Sequence, residues 1–299
     1  MATAHTVARG PRVRAASDRS ASSERWGRLG LLTPAGILLI GLFIVPLGIM
    51  LWYTFTDPTA GFENLAWYLG DGVQQVILLR TFVTAMQVTL VCVLLGYPYA
   101  YAMVAAGPKL RAALTLLVLI PFWTSLMART FAWVILLQDG GLVQNAFAAI
   151  GLGEIHFIRT NLGVIIGMCQ ILLPFFVLPL YAVMSKIDRR LVQASSSLGA
   201  HPVVSFVRVW LPLSMPGVWA GCLIVSISSL GFYVTPSLLG SPSNSLISQQ
   251  IFTQVSGLLQ WGHAGAMGVV LLVCTFVILA VISMFQRLST KRQNEGVES

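Results

Sequence analysis

Six runs of apolar residues, each long enough to cross a bilayer, dominate this sequence. A helix needs about 20 predominantly apolar residues to cross the hydrocarbon core of a membrane. Only 9% of the residues are charged, whereas a soluble domain typically carries about 25%. The sequence therefore predicts an all-α, polytopic membrane protein with six transmembrane helices. The predicted spans lie at about 31–55, 81–104, 113–136, 161–184, 213–236 and 264–286.

The basic residues follow the order of these apolar runs. Loops rich in lysine and arginine stay on the cytoplasmic side of a membrane. Of the 18 basic residues, 15 lie before the first run or after the second, fourth and sixth runs. Because they do not cluster on a soluble domain, the net charge of +8 does not indicate nucleic-acid binding. Both termini are predicted to be cytoplasmic, with a basic N-tail at 1–28, a transmembrane domain at 29–288 and a C-tail at 289–299.

Common catalytic and metal-binding motifs are absent from the sequence. The four cysteines lie inside apolar runs without C-x-x-C spacing, so neither a zinc site nor a disulfide framework is indicated. There is no Walker A loop, so any use of ATP requires a separate ATPase chain, and the commonest hydrolase signatures are missing too. The apolar runs contain no aspartate or glutamate, on which proton- and sodium-coupled carriers commonly depend. We therefore expect no enzyme activity, no metal site and no cofactor on this chain.

A hydrophilic segment at 193–212 interrupts the apolar pattern, within the predicted cytoplasmic loop 186–212. Gly199 suits the left-handed position that ends a helix, and Pro202 suits the first turn of a second helix. This second helix is predicted to close at Leu211 and Pro212, at the membrane surface. The apolar stripe of two such helices needs a cover, either a groove on a partner protein or the membrane itself. The residues alone leave these two alternatives open.

The same segment resembles the EAA loop of ABC importer permeases. The pattern of that loop is Glu-Ala-Ala, three residues, Gly, nine residues, and then Ile-x-Leu-Pro. Two positions depart from it, because a glutamine replaces the glutamate and a serine replaces the second alanine. The resemblance implies that this loop forms coupling helices that seat in a cleft of a cytoplasmic ATPase, without the salt bridge that the glutamate can form. The positions in register are Gln193, Ala194, Ser195, Gly199, Val209, Leu211 and Pro212.

Three further stretches are similar to the B-type permease of spermidine/putrescine importers. They are LIPFWTSLMARTFAWVILL at 119–137, GFYVTPSLLGSP at 231–242 and WGHAGAMGVVLL at 261–272. That group often has Gly-Asp-Tyr or Gly-Asp-Phe where this chain has Gly231, Phe232 and Tyr233. The missing acid weakens the expectation of a polycationic solute.

The resemblance implies the type I ABC importer transmembrane domain, in the inner membrane of a bacterium. The chain would be a permease subunit of an ATP-driven, binding-protein-dependent importer, for a polyamine or a related small organic solute. Its expected partners are a cytoplasmic ATPase dimer that carries ATP and magnesium, a sister C-type permease, an extracytoplasmic solute-binding protein and the lipid bilayer. The alternative is a secondary carrier or channel that acts without ATP.

Polar and aromatic residues inside the apolar runs are the candidates for the transport pathway. Arg129 either lines the pathway, pairs with the sister subunit or extends its side chain to the outer interface. Thr124 and Ser125 offer hydroxyls to a solute, but packing between helices explains them equally well. The serines of the fifth run form a predicted polar stripe. The complete candidate set is Trp123, Thr124, Ser125, Arg129, Ser226, Ser228, Ser229 and Tyr233.

Overall fold

The structure, a computed structural model, describes residues 14–151 and 155–295 of the 299-residue chain. Residues 1–13 of the predicted N-tail and 296–299 of the predicted C-tail lie outside the described residues. The regular structure of the two described ranges is all helical, and they contain no strand. Their α-helices are α1 (Arg14–Thr56), α2 (Glu63–Gly70), α3 (Gly72–Ala105), α4 (Pro108–Leu119), α5 (Leu126–Leu137), α6 (Leu142–Ala149), α7 (Asn161–Met184), α8 (Arg189–Ser197), α9 (Pro202–Ser205), α10 (Leu211–Leu230), α11 (Val234–Leu239), α12 (Ile247–Phe252) and α13 (Trp261–Glu295).

Six stretches of these helices are long and apolar enough to cross a membrane, which confirms the predicted number of spans. We call the side of the bundle that carries residues 185–210 the inner side, and the side that carries residues 57–71 the outer side. The assignment of the inner side to the cytoplasm stays a prediction from charge. The six stretches are Gly36–Thr56, Gly72–Ala105, Leu126–Ala149, Asn161–Met184, Pro202–Leu230 and Trp261–Ala280.

Helices α3, α7 and α10 form the core of the bundle. The Phe176 ring of α7 is fully buried between Gly96 of α3 and Gly221 of α10. A Cβ at either glycine would collide with this ring. Small residues are typical of helix contacts in membranes because they let two backbones approach closely. These glycines therefore set the spacing of the three core helices.

Helices α1 and α13 pair with each other beside the core. Gly265 and Gly268 of α13 lie so close to Met50 and Thr54 of α1 that a Cβ at either glycine would clash. On the outer side, the Asn64 amide of α2 donates to the Thr54 carbonyl over 2.9 Å. The small helix α2 is thereby joined to the outer end of the pair.

The third apolar run does not form the single helix expected at 113–136. Helix α4 ends at Leu119, a 3₁₀ turn covers Ile120–Trp123, and α5 begins only at Leu126. Pro121 has no N–H to continue an α-helical ladder, and Thr124 adopts an extended backbone with ψ 144°. The break lies at Thr124 and Ser125, two of the predicted pathway residues.

Helix α10, which corresponds to the fifth predicted span, ends at Leu230, six residues before the predicted end of that span. The chain then folds back against the bundle through α11 and α12. Leu239 and Thr235 of α11 pack on Gly167 of α7, and the Ile247 N–H of α12 donates to the Thr81 hydroxyl over 3.0 Å. Gly167 is the seventh residue of α7, about 9 Å along the helix from its outer end. Irregular backbone at such a depth requires partners within the protein, and these contacts supply them.

Candidate functional site

The inner-side segment folds as two short helices around a glycine. Asp188 caps α8 by accepting a hydrogen bond from the Arg190 N–H over 2.9 Å. Gly199 has φ +84°, the left-handed conformation expected from its position in the sequence. Its N–H donates to the Ser196 carbonyl, and the Ala200 N–H donates to the Ser195 carbonyl. The chain therefore reverses direction at Gly199 with its local backbone groups satisfied.

The second short helix continues into the membrane, and the expectation that Leu211 and Pro212 close it is wrong. His201 caps α9, and Pro202 occupies its first turn. A π-helical turn at Phe206–Trp210 then joins α9 to α10 without interruption. Pro212 has no N–H to donate to a backbone carbonyl. The wider π-helical turn before it shifts the pairing of backbone N–H and carbonyl groups, so the helix continues past Pro212. Residues 202–230 thus form one helical rod.

A hydrogen bond between side chains joins the two short helices. The Ser195 Oγ of α8 and the Ser205 Oγ of α9 lie 2.9 Å apart. Ser205 is buried, with 1% of its surface exposed. A buried hydroxyl needs a partner, so this contact fixes the angle between α8 and α9.

Aromatic contacts attach the π-helical turn to α3. The Tyr101 ring of α3 meets Phe206 and Trp210 edge-on, with centroid distances of 5.7 and 5.5 Å. One turn earlier, the Tyr97 hydroxyl lies 2.9 Å from the Ser214 Oγ of α10. Edge-to-face aromatic pairs contribute about 0.5–1.5 kcal/mol beyond the area that they bury. The 193–212 segment is therefore attached to both α3 and α10.

The tip of this segment exposes apolar side chains on the inner side. Leu198, next to Gly199, is 89% exposed, and Val203 of α9 is 62% exposed. Gln193 is also exposed, at the edge of a cavity of about 230 Å³ that Tyr101 and Trp210 help to line. We call Leu191, Leu198, Val203 and Val207 the apolar tip; each is at least half exposed. Adjacent exposed apolar residues of this kind mark a surface that binds a protein or a membrane.

A second cavity, of about 310 Å³, lies in the middle of the bundle, and we call it the central cavity. It brings together the Arg129 side chain of α5 and Ser228 of α10. The α7 residues that border it, such as Ile171 and Phe175, lie roughly 15–21 Å along that helix from its outer end. Arg129 therefore faces the midplane and not the outer interface. The other lining residues are Pro121, Phe122, Leu126, Leu172, Pro174 and Phe232.

The remaining predicted pathway residues lie outside this cavity. Trp123 is 74% exposed beside its rim, and the Thr124 hydroxyl donates to the Pro121 carbonyl over 3.0 Å. Ser125 is exposed just before α5. The Tyr233 ring packs on Phe252, with a centroid distance of 4.6 Å.

The three serines of α10 that were predicted to line the pathway do not form a single stripe. The Ser226 Oγ pairs with the Thr89 Oγ of α3 over 3.0 Å, so it joins two helices of the core. Ser229 is buried and donates to the Val225 carbonyl of its own helix. Only Ser228 of the three borders the central cavity. Successive helix positions are about 100° apart around the axis, which separates Ser228 from its neighbours.

Three phenylalanines of the central cavity were not predicted as site residues. Phe122, Phe175 and Phe232 come from the 3₁₀ turn, from α7 and from the segment after α10. In a chain with 56% hydrophobic residues, an aromatic ring in an apolar run gives no sign that it lines a cavity. The one available signal was the position of Phe232, where related permeases often have an acid.

The described part of the chain offers no candidate metal site. Residues 14–151 and 155–295 contain no group of three His, Cys, Asp or Glu side chains that could hold a metal ion. Cys92 and Cys169 do meet, with 3.5 Å between their sulfur atoms, but both are buried in the core between α3 and α7.

Comparisons with known proteins agree on one family. Residues 20–295 match the model of the family described as binding-protein-dependent transport system inner membrane component. The chain is 32% identical over 270 residues to the spermidine/putrescine transport system permease protein PotB of Escherichia coli strain K12, covering 88% of this chain and 98% of that protein. It is 28% identical over 280 residues to the inner membrane ABC transporter permease protein YdcU of the same strain, covering 81% of this chain and 89% of YdcU.

The fold also matches a solved structure. One chain of a bacterial ABC transporter that imports the acidic polysaccharide alginate superposes with a TM-score of 0.68. The match covers 90% of this chain and 97% of the other at 19% sequence identity. At this identity the likeness establishes the fold alone, which is that of the matched transporter chain.

Proposed function

The chain belongs to the family of binding-protein-dependent transport system inner membrane components, and from this premise we propose that it forms half of an ATP-driven import pathway. It is an inner-membrane permease subunit of a binding-protein-dependent ABC importer, and thus a transport subunit and not a catalytic chain. In our proposal a cytoplasmic ATPase dimer binds ATP and magnesium. A sister permease forms the other half of the pathway, and an extracytoplasmic binding protein delivers the solute.

The apolar tip at Gly199 is the observation that carries the proposal. Leu198 is 89% exposed at the end of a segment that is attached to the transmembrane helices by Ser195, Ser205 and an aromatic cluster. A short amphipathic helix that lies in an apolar groove is a common mode of recognition between proteins. The ATPase would bind the apolar tip, and closure of the ATPase dimer would pull on it.

The path of the movement follows the helical rod at 202–230. This rod runs from the apolar tip to Ser228 at the central cavity, roughly 40 Å at the rise of an α-helix. Because Tyr101 holds the π-helical turn against α3, the pull reaches two core helices together. Alternating access through rigid-body rocking of helices around a central site is the mechanism that we infer.

The proposed solute is a polyamine or a related small organic molecule. The relatives named for spermidine and putrescine are 30–32% identical over most of this chain, and this supports the assignment. The central cavity offers three phenylalanine rings, whose faces attract alkylammonium groups. The positive charge of Arg129 in the same cavity would repel a cationic solute, unless another group neutralises this charge.

Purification from native membranes in mild detergent tests the proposal. The tagged wild-type chain should bring down a P-loop ATPase, identified by mass spectrometry. Leu198→Asp should remove the ATPase while the chain stays in the membrane. Leu69→Asp is the matched control, because Leu69 is 62% exposed in α2, on the outer side. If the wild type came out alone even after crosslinking at the apolar tip, the chain would be an autonomous carrier.

A further inference from the structure

Arg129 is a charged side chain at an unusual depth. It lies one turn into α5 and borders the central cavity opposite the middle of α7. Its Nε is buried and has no hydrogen-bond partner within the described residues. Charged side chains at this depth are costly, and in membrane proteins they pair with one another or with backbone carbonyls.

No acid that the structure places in residues 14–151 and 155–295 lies near this side chain. In the described part of the chain, the carboxylates of Asp57, Glu63, Asp71 and Asp139 lie in or beside outer-side loops, and Asp188 caps α8 on the inner side. The nearest apolar runs contain no aspartate or glutamate. The described residues thus leave Arg129 without a counter-charge, which favours a neutralising group from outside this chain.

Two external sources of a counter-charge for Arg129 can be excluded. A transported solute leaves the cavity in every cycle, so it would leave the arginine without a partner for part of that cycle. A second copy of this chain would bring a second Arg129 and again no acid within an apolar run. A permanent counter-charge requires a different polypeptide that lies in the membrane beside α5.

The surface next to Arg129 has room for such a chain. Phe122 and Phe175, which line the cavity together with Arg129, are 48% and 38% exposed, and Trp123, next to Phe122 in the chain, is 74% exposed. The lining of the cavity around Arg129 is therefore only partly covered by this chain. A face that met lipid alone would leave the guanidinium next to hydrocarbon without a counter-ion, which is an unfavourable environment for a charge.

We propose that Arg129 forms an ion pair within the membrane with an aspartate or glutamate of a different permease chain, which packs over Phe122 and Phe175 at the central cavity. The inference rests on the proposed function, because that function supplies the second permease. Because the apolar runs of this chain contain no aspartate or glutamate, such an ion pair requires two different permease chains. The ion pair also removes the positive field of Arg129 from the cavity, so that a cationic solute is able to pass.

Photo-crosslinking tests which molecule contacts this face. A benzophenone amino acid replaces Phe122, which lines the cavity with Arg129 and is 48% exposed, in the tagged chain, and the importer is irradiated in native membranes. We expect a crosslinked peptide from a second polytopic chain with an acid inside an apolar run. Crosslinks only to lipid, or only to another copy of this chain, would overturn the proposal.

Charge exchange tests the ion pair itself. Arg129→Glu should reduce recovery of the sister chain at least tenfold in mild detergent, while Arg129→Lys should retain most of it. Lysine in place of the sister's intramembrane acid should restore recovery to Arg129→Glu. Arg159→Glu is the matched control, because Arg159 is exposed in the outer-side loop before α7.

Two outcomes separate this inference from the proposed function. If wild type recovers the ATPase and a sister permease, but Arg129→Glu recovers the sister equally and loses only uptake, the arginine serves the solute and the inference is wrong. If wild type recovers no ATPase, the proposed function itself fails. Absence of rescue by the exchanged charges would also refute the ion pair.

Discussion

The hydroxyl oxygens of Ser195 and Ser205 lie 2.9 Å apart and join the two short helices on the inner side of the bundle. ABC importer permeases that follow the EAA pattern have an alanine in place of Ser195, so this chain has added a contact between the helices. The contact makes the angle between α8 and α9 depend on a single pair of side chains.

Removal of either hydroxyl should loosen the segment. Ser195→Ala leaves the buried Ser205 hydroxyl without its partner, at a local cost of about 1–3 kcal/mol. Trypsin should then cleave faster within 186–212, measured on the purified importer in detergent. Ser195→Ala with Ser205→Ala should be no more sensitive than Ser195→Ala alone, because one bond is lost in both. Additive sensitivities would mean that the two hydroxyls act independently.

Substitution of Gly199 is restricted by the backbone angle at this position and not by neighbouring atoms. A Cβ at this position would meet no atom within 4 Å, but φ is +84°. Gly199→Ala should lower uptake modestly, since the left-handed conformation costs an L-residue about 1–2 kcal/mol. Gly199→Asn should be close to wild type, because asparagine adopts this conformation more readily.

Gly199→Glu should abolish uptake while the protein stays in the membrane, because it adds a charge beside Leu198 where the ATPase is proposed to bind. Uptake of radiolabelled putrescine by intact cells, normalised to the amount of chain in the membrane, is the measurement. Normal transport by Gly199→Glu would refute docking at the apolar tip.

Gln193→Glu restores the acid that the EAA pattern usually has at this position. Gln193 is exposed, so a carboxylate there remains solvated and need not destabilise α8. The variant should bind the ATPase as well as wild type does, or more tightly if the ATPase presents a basic group. The amount of ATPase recovered per tagged chain decides this, and loss of assembly would show that Gln193 does not occupy the expected position.

The glycines around Phe176 should differ in their tolerance of a methyl group. At Gly221 a Cβ would collide with the Phe176 ring and also crowd the Phe176 backbone, whereas at Gly96 it would collide with side chains only. Gly221→Ala should therefore lower the free energy of unfolding more than Gly96→Ala, by about 1–3 kcal/mol for overpacking. Gly48→Ala in α1 meets no atom within 4 Å and is the control. Thermal unfolding in detergent ranks the three variants, and equal losses at Gly221 and Gly48 would contradict this packing.

The sequence was sufficient to predict the number of spans and the turn at Gly199. Length and hydropathy determine the spans because a bilayer imposes a minimum apolar length, and a glycine between two short helical patterns indicates a left-handed turn. The break before α5 and the return of α11 and α12 into the bundle were not predicted. The break lies at Pro121, a residue that membrane helices often tolerate without ending. The return depends on contacts of α11 with α7 and of α12 with α3, and the apolar composition of these segments is the same as that of a continuous span.

The candidate site was predictable only where spacing carries information. The pattern from Gln193 to Pro212 has a fixed register, so the inner-side segment could be located residue by residue. No such register exists for the central cavity, where Phe122, Phe175 and Phe232 come from three separated segments. Arg129 was recognisable as a charge inside an apolar run, but its depth followed only from its position opposite the middle of α7.

The uninterrupted rod at 202–230 has a thermodynamic consequence. It ends at the apolar tip on one side and passes Ser228 of the central cavity near the other, so the two sites share one rigid element. If a solute in the cavity favours one position of this rod, it must change the affinity of the ATPase for the apolar tip. Linkage requires the reverse effect to have the same size, so the ATPase changes the affinity of the cavity for the solute by an equal factor.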